Sequence, residues 1–263
     1  MGNQSLPQMS LAFASLGSGS KGNATLVRCQ QTQILIDCGF SIKETEKRLE
    51  RLETCAENLA AILVTHEHGD HISGVGPLAR KYKLPVFLSY GTMQSGRPGE
   101  LPHVELISGD EPFTIGDIAV HPYPVPHDAR EPVQFVFSNG QQRFAILTDT
   151  GHITPHIIRM LDGCDGLFLE CNHDVEMLTN GSYPQQLKQR VGGQFGHLNN
   201  QQSADLLRQI DCTRLQHLVA AHISDKNNTV EYAQEALAEV FACLPNEIKI
   251  ADQEKGLTWH SLN

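Results

Sequence analysis

A short apolar segment that ends in a histidine-rich cluster constrains this chain more than any other feature. Residues 61–64 read Ala-Ile-Leu-Val, a continuous apolar run that predicts a buried strand. The segment that follows reads Thr65-His66-Glu67-His68-Gly69-Asp70-His71. His66 and His68 are two residues apart, so both imidazoles point to the same side if the backbone stays extended.

The second half of this cluster turns away from the strand. Gly69 permits a sharp bend, after which Asp70 and His71 open the next predicted helix. Imidazole and carboxylate ligands together suit zinc, and they also suit manganese or iron. The sequence therefore predicts a metal site at the end of a buried strand, although a histidine-rich polar turn is the alternative. The candidate ligands in this cluster are His66, His68, Asp70 and His71.

Strand-type and helix-type segments alternate along the chain. The predicted strands are Leu11–Leu16, Thr25–Cys29, Gln33–Asp37, Ala61–Thr65, Pro85–Ser89, Ile118–Tyr123, Val133–Ser138, Arg143–Thr148, Gly166–Glu170, Leu215–Ala221 and Glu247–Ala251. The predicted helices are Ile42–Leu52, His71–Tyr82, Thr154–Leu161, Pro184–Arg190, Asn200–Gln209 and Val230–Phe241. Hairpin turns, of which Asn139-Gly140 is the clearest, lie beside βα units. This mixture predicts an α/β fold with two mixed β-sheets flanked by helices, as a single domain over residues 1–263 with residues 1–9 as a loose extension.

Composition excludes several classes of protein. No apolar run approaches the roughly 18 residues that a membrane-spanning helix needs. The formal net charge of −10 gives no sign of a broad basic surface for nucleic acid, although bound dications would supply positive charge where a phosphate must sit. The seven cysteines are scattered and form no C-x-x-C pair, which indicates reduced thiols. We therefore expect a cytoplasmic protein with no membrane contact and no obligate protein partner.

These motifs resemble the metallo-β-lactamase superfamily, whose signature H-x-H-x-D-H is matched by residues 66–71. Three later segments, each just after a predicted strand, resemble further motifs of the family: Pro124–Ala129, Leu147–Gly151 and Ala221–Ser224. The resemblance covers residues 11–230 and implies the αβ/βα sandwich of that family. It also implies two divalent metal ions, with zinc favoured and manganese or iron as alternatives.

The positions that match the family's motifs give a complete ligand set. The resemblance implies that the first ion is held by His66, His68 and His127, the second by Asp70, His71 and His222, and both by a bridging Asp149. Two dications about 3.5–4 Å apart need an anionic bridge to offset their repulsion, and they share a hydroxide made from water. His121, inside a predicted strand, competes for the third-histidine position, but His127 lies in the motif.

Four more segments resemble the YycJ/WalJ-like branch of this superfamily. They are Gly17–Thr25, Glu170–Asp174, Gly196–Asn200 and His222–Asn228. The resemblance implies a metal-dependent DNA exonuclease that works from 5′ to 3′. Asn199 departs from the pattern, because this branch usually has serine there.

Those segments also supply candidate contacts with substrate. The glycine- and serine-rich loop offers backbone N–H groups and hydroxyls to a phosphate, although a plain hairpin turn would also explain it. We expect His197 to donate a proton to the leaving oxygen or to bind phosphate, with helix capping as its alternative role. Asn172 and His173 follow the predicted strand that ends at Glu170, so we expect them to face the metal ions, although a position behind the ligands or at the surface is equally open for His173. The candidate substrate-binding residues are Ser18, Ser20, Asn23, Asn172, His173 and Asn227, and the candidate catalytic residues are Asp70, Asp149 and His197.

The segment Gly91–Leu101 predicts an exposed loop at the edge of the substrate groove. Its run Gly96-Arg97-Pro98-Gly99 favours turns over a helix. Arg97 and Arg130 are candidate contacts with a DNA backbone, although exposed arginines are ordinary surface features.

The motifs thus predict a dinuclear metal-dependent hydrolase that acts through a metal-bridging hydroxide, and the resemblance implies that it is a phosphodiesterase that cleaves DNA. A small-molecule hydrolase on the same site, such as a cyclic phosphodiesterase, a lactonase or a thioesterase, is the first alternative. A non-hydrolytic iron protein and a binding module with an inactive site are the others. The presence of every expected ligand argues against the inactive site.

Overall fold

The computed structural model describes residues 10–263, which form two seven-stranded sheets with helices outside them. The strands of the first sheet lie in the order β14, β1, β2, β3, β4, β5, β6. Their bounds are β1 Leu11–Gly17, β2 Ala24–Cys29, β3 Thr32–Ile36, β4 Ala61–Leu63, β5 Val86–Ser89, β6 Val104–Ile107 and β14 Leu257–Ser261. The strands of the second sheet lie in the order β13, β12, β11, β10, β9, β8, β7. Their bounds are β7 Phe113–Ile115, β8 Ile118–Pro124, β9 Val133–Ser138, β10 Arg143–Leu147, β11 Gly166–Glu170, β12 His217–Ala221 and β13 Lys249–Ile250.

Both sheets are mixed, which confirms the predicted fold class. Strands β3 to β6 pair in parallel, as do β10 to β13, and the remaining pairs are antiparallel. Nine α-helices lie between the strands of the described chain. They are α1 Ile42–Arg51, α2 Gly69–Ile72, α3 Val75–Tyr82, α4 Tyr90–Gln94, α5 Pro155–Leu161, α6 Val175–Asn180, α7 Gln185–Val191, α8 Asn200–Leu207 and α9 Val230–Phe241.

The hydrophobic core has three layers. The central layer packs the two sheets face to face, with the rings of Phe13 and Phe144 stacked at 4.2 Å. The outer layers lie between each sheet and its helices. Strands that are buried on both faces show continuous apolar runs rather than alternation, which explains the pattern at residues 61–64.

The functional motifs follow strands that end at one edge of the sandwich. Parallel strands place their carboxyl ends together, and ligands of α/β sheets collect there. Strand β4 leads to His66, β10 to Asp149 and β12 to His222. Each sheet therefore contributes side chains to a single cleft.

The predicted helix His71–Tyr82 was wrong, because it is two helices, α2 and α3. The N–H of Gly74 donates to Cys38 O (2.7 Å), and His71 O accepts from Cys38 N–H (2.7 Å). These backbone groups bond to a neighbouring loop instead of continuing the helix, and a Cβ on Gly74 would overlap the Phe40 carbonyl. The break keeps His71 against the first sheet.

Several short elements were absent from the sequence prediction. They are β6, β7, β14, α4 and α6. The segment Gly91–Leu101 is therefore not entirely loop, because α4 occupies its first residues. The expected N-terminal extension, residues 1–9, lies outside the described residues. Within residues 10–263, every helix is too short or too polar to cross a membrane.

Candidate metal centre

Three histidines from two segments meet at one end of the cleft. One ring nitrogen of each of His66, His68 and His127 lies within 4.8 Å of the others. His127 follows β8, and its Nδ1 donates to Gly196 O (3.0 Å), so its Nε2 keeps a lone pair. His68 Nε2 faces Asp128 O (3.2 Å), which leaves Nδ1 for a ligand. Hydrogen bonds behind these two rings thus aim one lone pair of each into the cluster.

The ring of His66 is oriented by a buried hydrogen-bond chain. Thr65 Oγ1 donates to Asp37 Oδ2 (2.8 Å) and lies 2.9 Å from His66 Nδ1. Because the threonine proton is used for Asp37, Nδ1 is the donor in the second contact, and Nε2 carries the free lone pair. Asp37 Oδ2 also lies 2.8 Å from His71 Nδ1, which turns His71 Nε2 toward the cleft.

A second group surrounds Asp149. His71 Nε2 and His222 Nδ1 each lie 3.3 Å from Asp149 Oδ2, and Asp70 Oδ2 lies 3.5 Å from His71 Nε2. Ligand atoms of His66, His71 and Asp149 also lie within 4.8 Å of one another. Asp149 therefore stands beside both groups, at the position that a bridging carboxylate would occupy.

Three buried atoms test whether this donor set fits metal ions. Within residues 10–263, His66 Nε2 makes no hydrogen bond, and Asp149 Oδ2 and His222 Nδ1 make none of good geometry although they lie 3.3 Å apart. Each such orphaned group costs about 1–3 kcal/mol in a folded protein. Two acceptor nitrogens beside a carboxylate form a donor set suited to divalent cations. The residues present therefore fit divalent metal binding.

The backbone at two of these residues is left-handed. Asp149 has φ 55° and His222 has φ 52°, in a region that costs non-glycine residues roughly 1–3 kcal/mol. The N–H of His222 donates to the buried Ser18 Oγ (3.0 Å), which holds that conformation. His222 comes immediately after β12 and Asp149 comes two residues after β10, and both side chains line the cleft.

Electrostatics in the cluster favour bound cations. Burial alone would lower the pKa of His71, but the carboxylates of Asp149, Asp37 and Asp70 raise that pKa well above its usual value. Burial would raise the pKa of Asp149, yet His222 and His71 hold it well below its usual value. Asp149 is therefore an anion at neutral pH.

His197 is held by a fully buried carboxylate. Glu170 Oε1 accepts from His197 Nδ1 (2.8 Å), and Glu170 Oε2 accepts from Leu198 N–H (3.0 Å) and Thr150 N–H (3.3 Å). Burial would lower the pKa of His197, but Glu170 and Asp149 raise it to about 9. His197 lines the cleft as a protonated imidazole, as a proton donor requires.

The cleft is a cavity of about 380 Å³ above the ligand cluster, and we call it the metal cavity. That volume lies in the range of pockets that hold one small ligand, roughly 300–1,000 Å³. Two arginines, Arg97 and Arg190, lie on its wall, and the second pairs with Asp128 (2.5 Å). Tyr183 and Leu187 add apolar surface.

The candidate substrate-binding residues divide into two groups. Ser20 and Asn172 line the metal cavity, together with Asp70, Asp149 and His197. The other four candidates do not line it. They are Ser18, which bonds to the His222 backbone, Asn23, which bonds to Gly19, Asn227, which is buried, and His173, which lines a different cavity.

The structure also distinguishes His127 from His121, the two candidates for the third-histidine position. His121 is exposed on β8 and belongs to none of the clusters of the described chain that could hold a metal. Arg130, unlike Arg97, does not line the metal cavity, and its backbone N–H donates to Glu67 Oε1 (2.8 Å).

Sequence reasoning gave no role to Asp37, Glu170 or Arg190. The first two have a recognisable signal, because each is an acidic residue at the carboxyl end of a strand that is buried on both faces. A buried carboxylate persists only where hydrogen bonds or charges satisfy it. Arg190 has no comparable signal.

Comparison with known proteins is consistent with this geometry. The family model of the β-lactamase superfamily domain matches residues 32–223. Exodeoxyribonuclease YycJ of Bacillus anthracis is 37% identical over 236 residues, which cover 88% of this chain and 89% of that protein. Exodeoxyribonuclease WalJ of Streptococcus pneumoniae is 33% identical over 243 residues, which cover 90% of each chain.

Solved structures share the fold at low sequence identity. The metallo-β-lactamase fold protein YhfI of Bacillus subtilis gives a TM-score of 0.74 at 16% identity and covers 96% of this chain and 99% of that one. Zinc-bound PqqB of Methylobacterium extorquens gives 0.72 at 17% identity with the same coverage. The chain therefore belongs to the β-lactamase superfamily, in its YycJ/WalJ-like branch, and is a metal-dependent hydrolase of the metallo-β-lactamase fold.

Proposed function

We propose that this protein is a 5′-to-3′ exodeoxyribonuclease that uses two divalent metal ions, with zinc favoured and manganese or iron as alternatives. One observation carries the proposal. The ligand atoms of these side chains lie close together in a chain whose relatives, over about nine-tenths of its length, are named exodeoxyribonucleases; the side chains are His66, His68, His71, His127, Asp149 and His222.

The proposed ligands divide as the motifs imply. His66, His68 and His127 would hold one ion, Asp70, His71 and His222 would hold the other, and Asp149 would serve as a ligand shared by both. When bound, two divalent ions polarise a phosphodiester and activate water at neutral pH. Asp37 orients His71 and, through Thr65, His66. Gly196 orients His127.

The proposed general acid is His197. Its Nδ1 is engaged by Glu170, so its Nε2 carries the transferable proton. In a 5′-to-3′ hydrolysis the departing group is a 3′ oxygen, which needs a proton as it leaves. His197 donates that proton from Nε2 and is then neutral, while Glu170 keeps the ring in place.

The direct test compares substrates and metals in one experiment. Metal-depleted protein is reloaded with zinc or manganese separately and incubated with duplex DNA that carries a 5′-phosphate or a 5′-hydroxyl, and with a small cyclic phosphodiester. We expect stepwise release of nucleotides from the 5′ end. Turnover of the small phosphodiester alone, or cleavage by the metal-depleted protein, would contradict the proposal.

A small-molecule hydrolase remains the second candidate function. The size of the metal cavity, about 380 Å³, and the net charge of −10 favour it. The two functions separate in the experiment above, because only a nuclease degrades the duplex.

Arg190 is the proposed contact with a substrate phosphate. We expect Arg190→Ala to raise KM for DNA about tenfold with little change in kcat, because a charge-assisted hydrogen bond contributes about 1.5–3 kcal/mol. Arg208→Ala is the matched control, since Arg208 is a similarly exposed arginine that pairs with Asp205 and lies outside the metal cavity. Steady-state kinetics on one duplex gives KM and kcat for both variants. Equal KM values for Arg190→Ala and Arg208→Ala would show that Arg190 does not contact the substrate.

Metal removal is expected to destabilise the fold. Reloading the chelated protein with excess zinc should raise Tm by about 10 °C, because a ligand at a thousand times its Kd stabilises by ~4 kcal/mol. Elemental analysis of the reloaded protein should give about two ions per chain, as in two-metal sites. Identical melting temperatures with and without metal would show that the buried donor atoms do not hold an ion.

We also propose one domain and a cytoplasmic location. The central core layer includes Phe13 of the first sheet and Phe144 of the second, so neither sheet buries its inner face alone. No disulfide joins any of the seven cysteines, all of which lie in the described chain, as reducing surroundings favour. We propose no obligate protein partner.

A further inference from the structure

A second cavity lies behind helix α7. It has a volume of about 300 Å³, and we call it the rear cavity. Helix α7 separates it from the metal cavity: Leu187 and Arg190 line the metal cavity, whereas Lys188 and Gln189 line the rear cavity. Because an α-helix is only about 10 Å across, the two cavities are close enough for one strand of DNA to reach both.

A buried histidine lines this cavity without a hydrogen-bond partner. His173 is 2% exposed, and its Nδ1 has no partner within residues 10–263. Its Nε2 lies 3.9 Å from the position of a Cβ added to Gly192, which also lines the cavity. Burial lowers the pKa of His173 to about 4, so the ring is a neutral group at physiological pH that can both donate and accept hydrogen bonds.

The remaining lining residues have the composition of a pocket for a flat, polar-edged ligand. Val175 and Leu178 supply apolar surface, and Gln185, Gln189 and Asn199 supply side-chain amides. Every lining residue belongs to the described chain, and none is acidic, which argues against a cation. The single charge is Lys188, whose Nζ donates to Thr179 O (2.6 Å).

Asparagine and glutamine amides pair bidentately with the edge of adenine. The Gln185 and Gln189 side chains make no hydrogen bond to any residue between 10 and 263, so their amides are available. Apolar side chains suit the faces of a base, as in other sites for single-stranded nucleic acid.

We propose that the rear cavity binds a nucleobase of the DNA strand whose backbone occupies the metal cavity, with Gln189 and His173 contacting the base edge. This inference rests on the proposed nuclease function. In this proposal His173 contacts a base away from the metal ions. Helix α7 then lies between the scissile phosphate and that base.

The test measures binding of a short 5′-phosphorylated single strand to the metal-loaded protein by fluorescence anisotropy. Phosphorothioate linkages near the 5′ end prevent cleavage. A series of strands each lacks one base, starting from the 5′ end. We expect the loss of one particular base to raise Kd about tenfold, since a bidentate amide–base pair contributes about 1–3 kcal/mol.

Two variants probe the cavity from different sides. Gln189→Ala removes an amide, and Gly192→Met fills the space. The backbone at Gly192 has an ordinary φ of −87°, and its added Cβ would lie 3.3 Å from Leu178 Cδ2. Gln186→Ala is the matched control, because Gln186 is an exposed glutamine of the same helix that lines neither cavity.

We expect Gln189→Ala and Gly192→Met to bind the intact strand about tenfold more weakly than wild type, and to bind it no better than the strand that lacks the critical base. Gln186→Ala should match wild type. If wild type degrades DNA but every abasic strand and both variants bind normally, the rear cavity holds no base. If wild type neither binds nor degrades DNA, the proposed function itself fails, and this inference falls with it. Unchanged Tm values for Gln189→Ala separate these results from misfolding.

Discussion

Replacement of Asp149 by alanine is expected to lower kcat on DNA by more than about a thousandfold, or ~4 kcal/mol in the activation barrier. The carboxylate lies 3.3 Å from both His71 Nε2 and His222 Nδ1, and within the same group of donor atoms as His66. Two dications held close together repel each other unless an anion lies between them. Metal content should therefore fall from about two ions per chain to one or fewer, as elemental analysis of the purified variant would measure.

Asp149→Asn separates charge from shape in the same experiment. It keeps one oxygen at the same position but loses the negative charge, so we expect a loss of activity close to that of the alanine variant. Asp165→Ala is the control for burial alone, because Asp165 is a buried aspartate just before β11 that pairs with Arg214 and lies outside the metal cavity. It should lower Tm while metal content and kcat stay near wild type. Full metal content and normal turnover in Asp149→Ala would refute the bridging role.

The strand-end position of the motifs could be predicted from the sequence alone. Residues 61–64 form an unbroken apolar run, and the polar cluster begins immediately after it, which placed His66 and His68 at a strand end. The predicted two-sheet α/β fold is confirmed for the same reason, because most strands carry strong apolar runs. The ligand set itself stays a prediction until a metal is measured.

The local backbone at the site could not be predicted in this way. Left-handed conformations at Asp149 and His222 depend on contacts such as the bond from His222 N–H to Ser18, which is 204 positions away. The division of the predicted helix at Gly74 depends on hydrogen bonds to Cys38, which pattern analysis does not detect. Strand β6 was missed because two of its four residues are exposed, so it lacks the continuous burial that marks the predicted strands.

The roles of the buried acids could be predicted only in part. Glu170 is fully buried and accepts three hydrogen bonds, one of them from His197. The sequence places it at the end of an apolar strand, which marks it as unusual without naming its partner. Only the fold brings His197 to it, from 27 residues later in the chain. Strand-end acids in buried parallel sheets are therefore a useful signal for residues that orient a catalytic group.

Replacement of His197 by alanine is expected to lower kcat about 10²- to 10⁴-fold, with KM and metal content near wild type, because a general acid contributes about that much to a reaction. A substrate whose leaving group needs no proton distinguishes a general-acid role of His197 from phosphate binding. On DNA whose scissile 3′ oxygen is replaced by sulfur, the departing thiolate is stable without protonation, so the loss caused by His197→Ala should nearly disappear. An equal loss on both substrates would instead assign His197 to binding or positioning.

Glu170→Gln tests the positioning residue behind this acid. Glutamine has nearly the same shape but loses the charge that favours protonated His197, and one of its two terminal atoms no longer accepts a hydrogen bond. Glu170 is the largest of the influences that raise the pKa of His197 to about 9 against the effect of burial. Without that charge the pKa of His197 falls and a smaller fraction of the imidazole is protonated at pH 7. We therefore expect kcat on ordinary DNA to fall about 10- to 100-fold, while the sulfur substrate is again spared. His121→Ala, an exposed histidine on the same sheet, should behave as wild type on both substrates. If Glu170→Gln slows both substrates equally, the carboxylate supports the fold of the site and not the proton transfer.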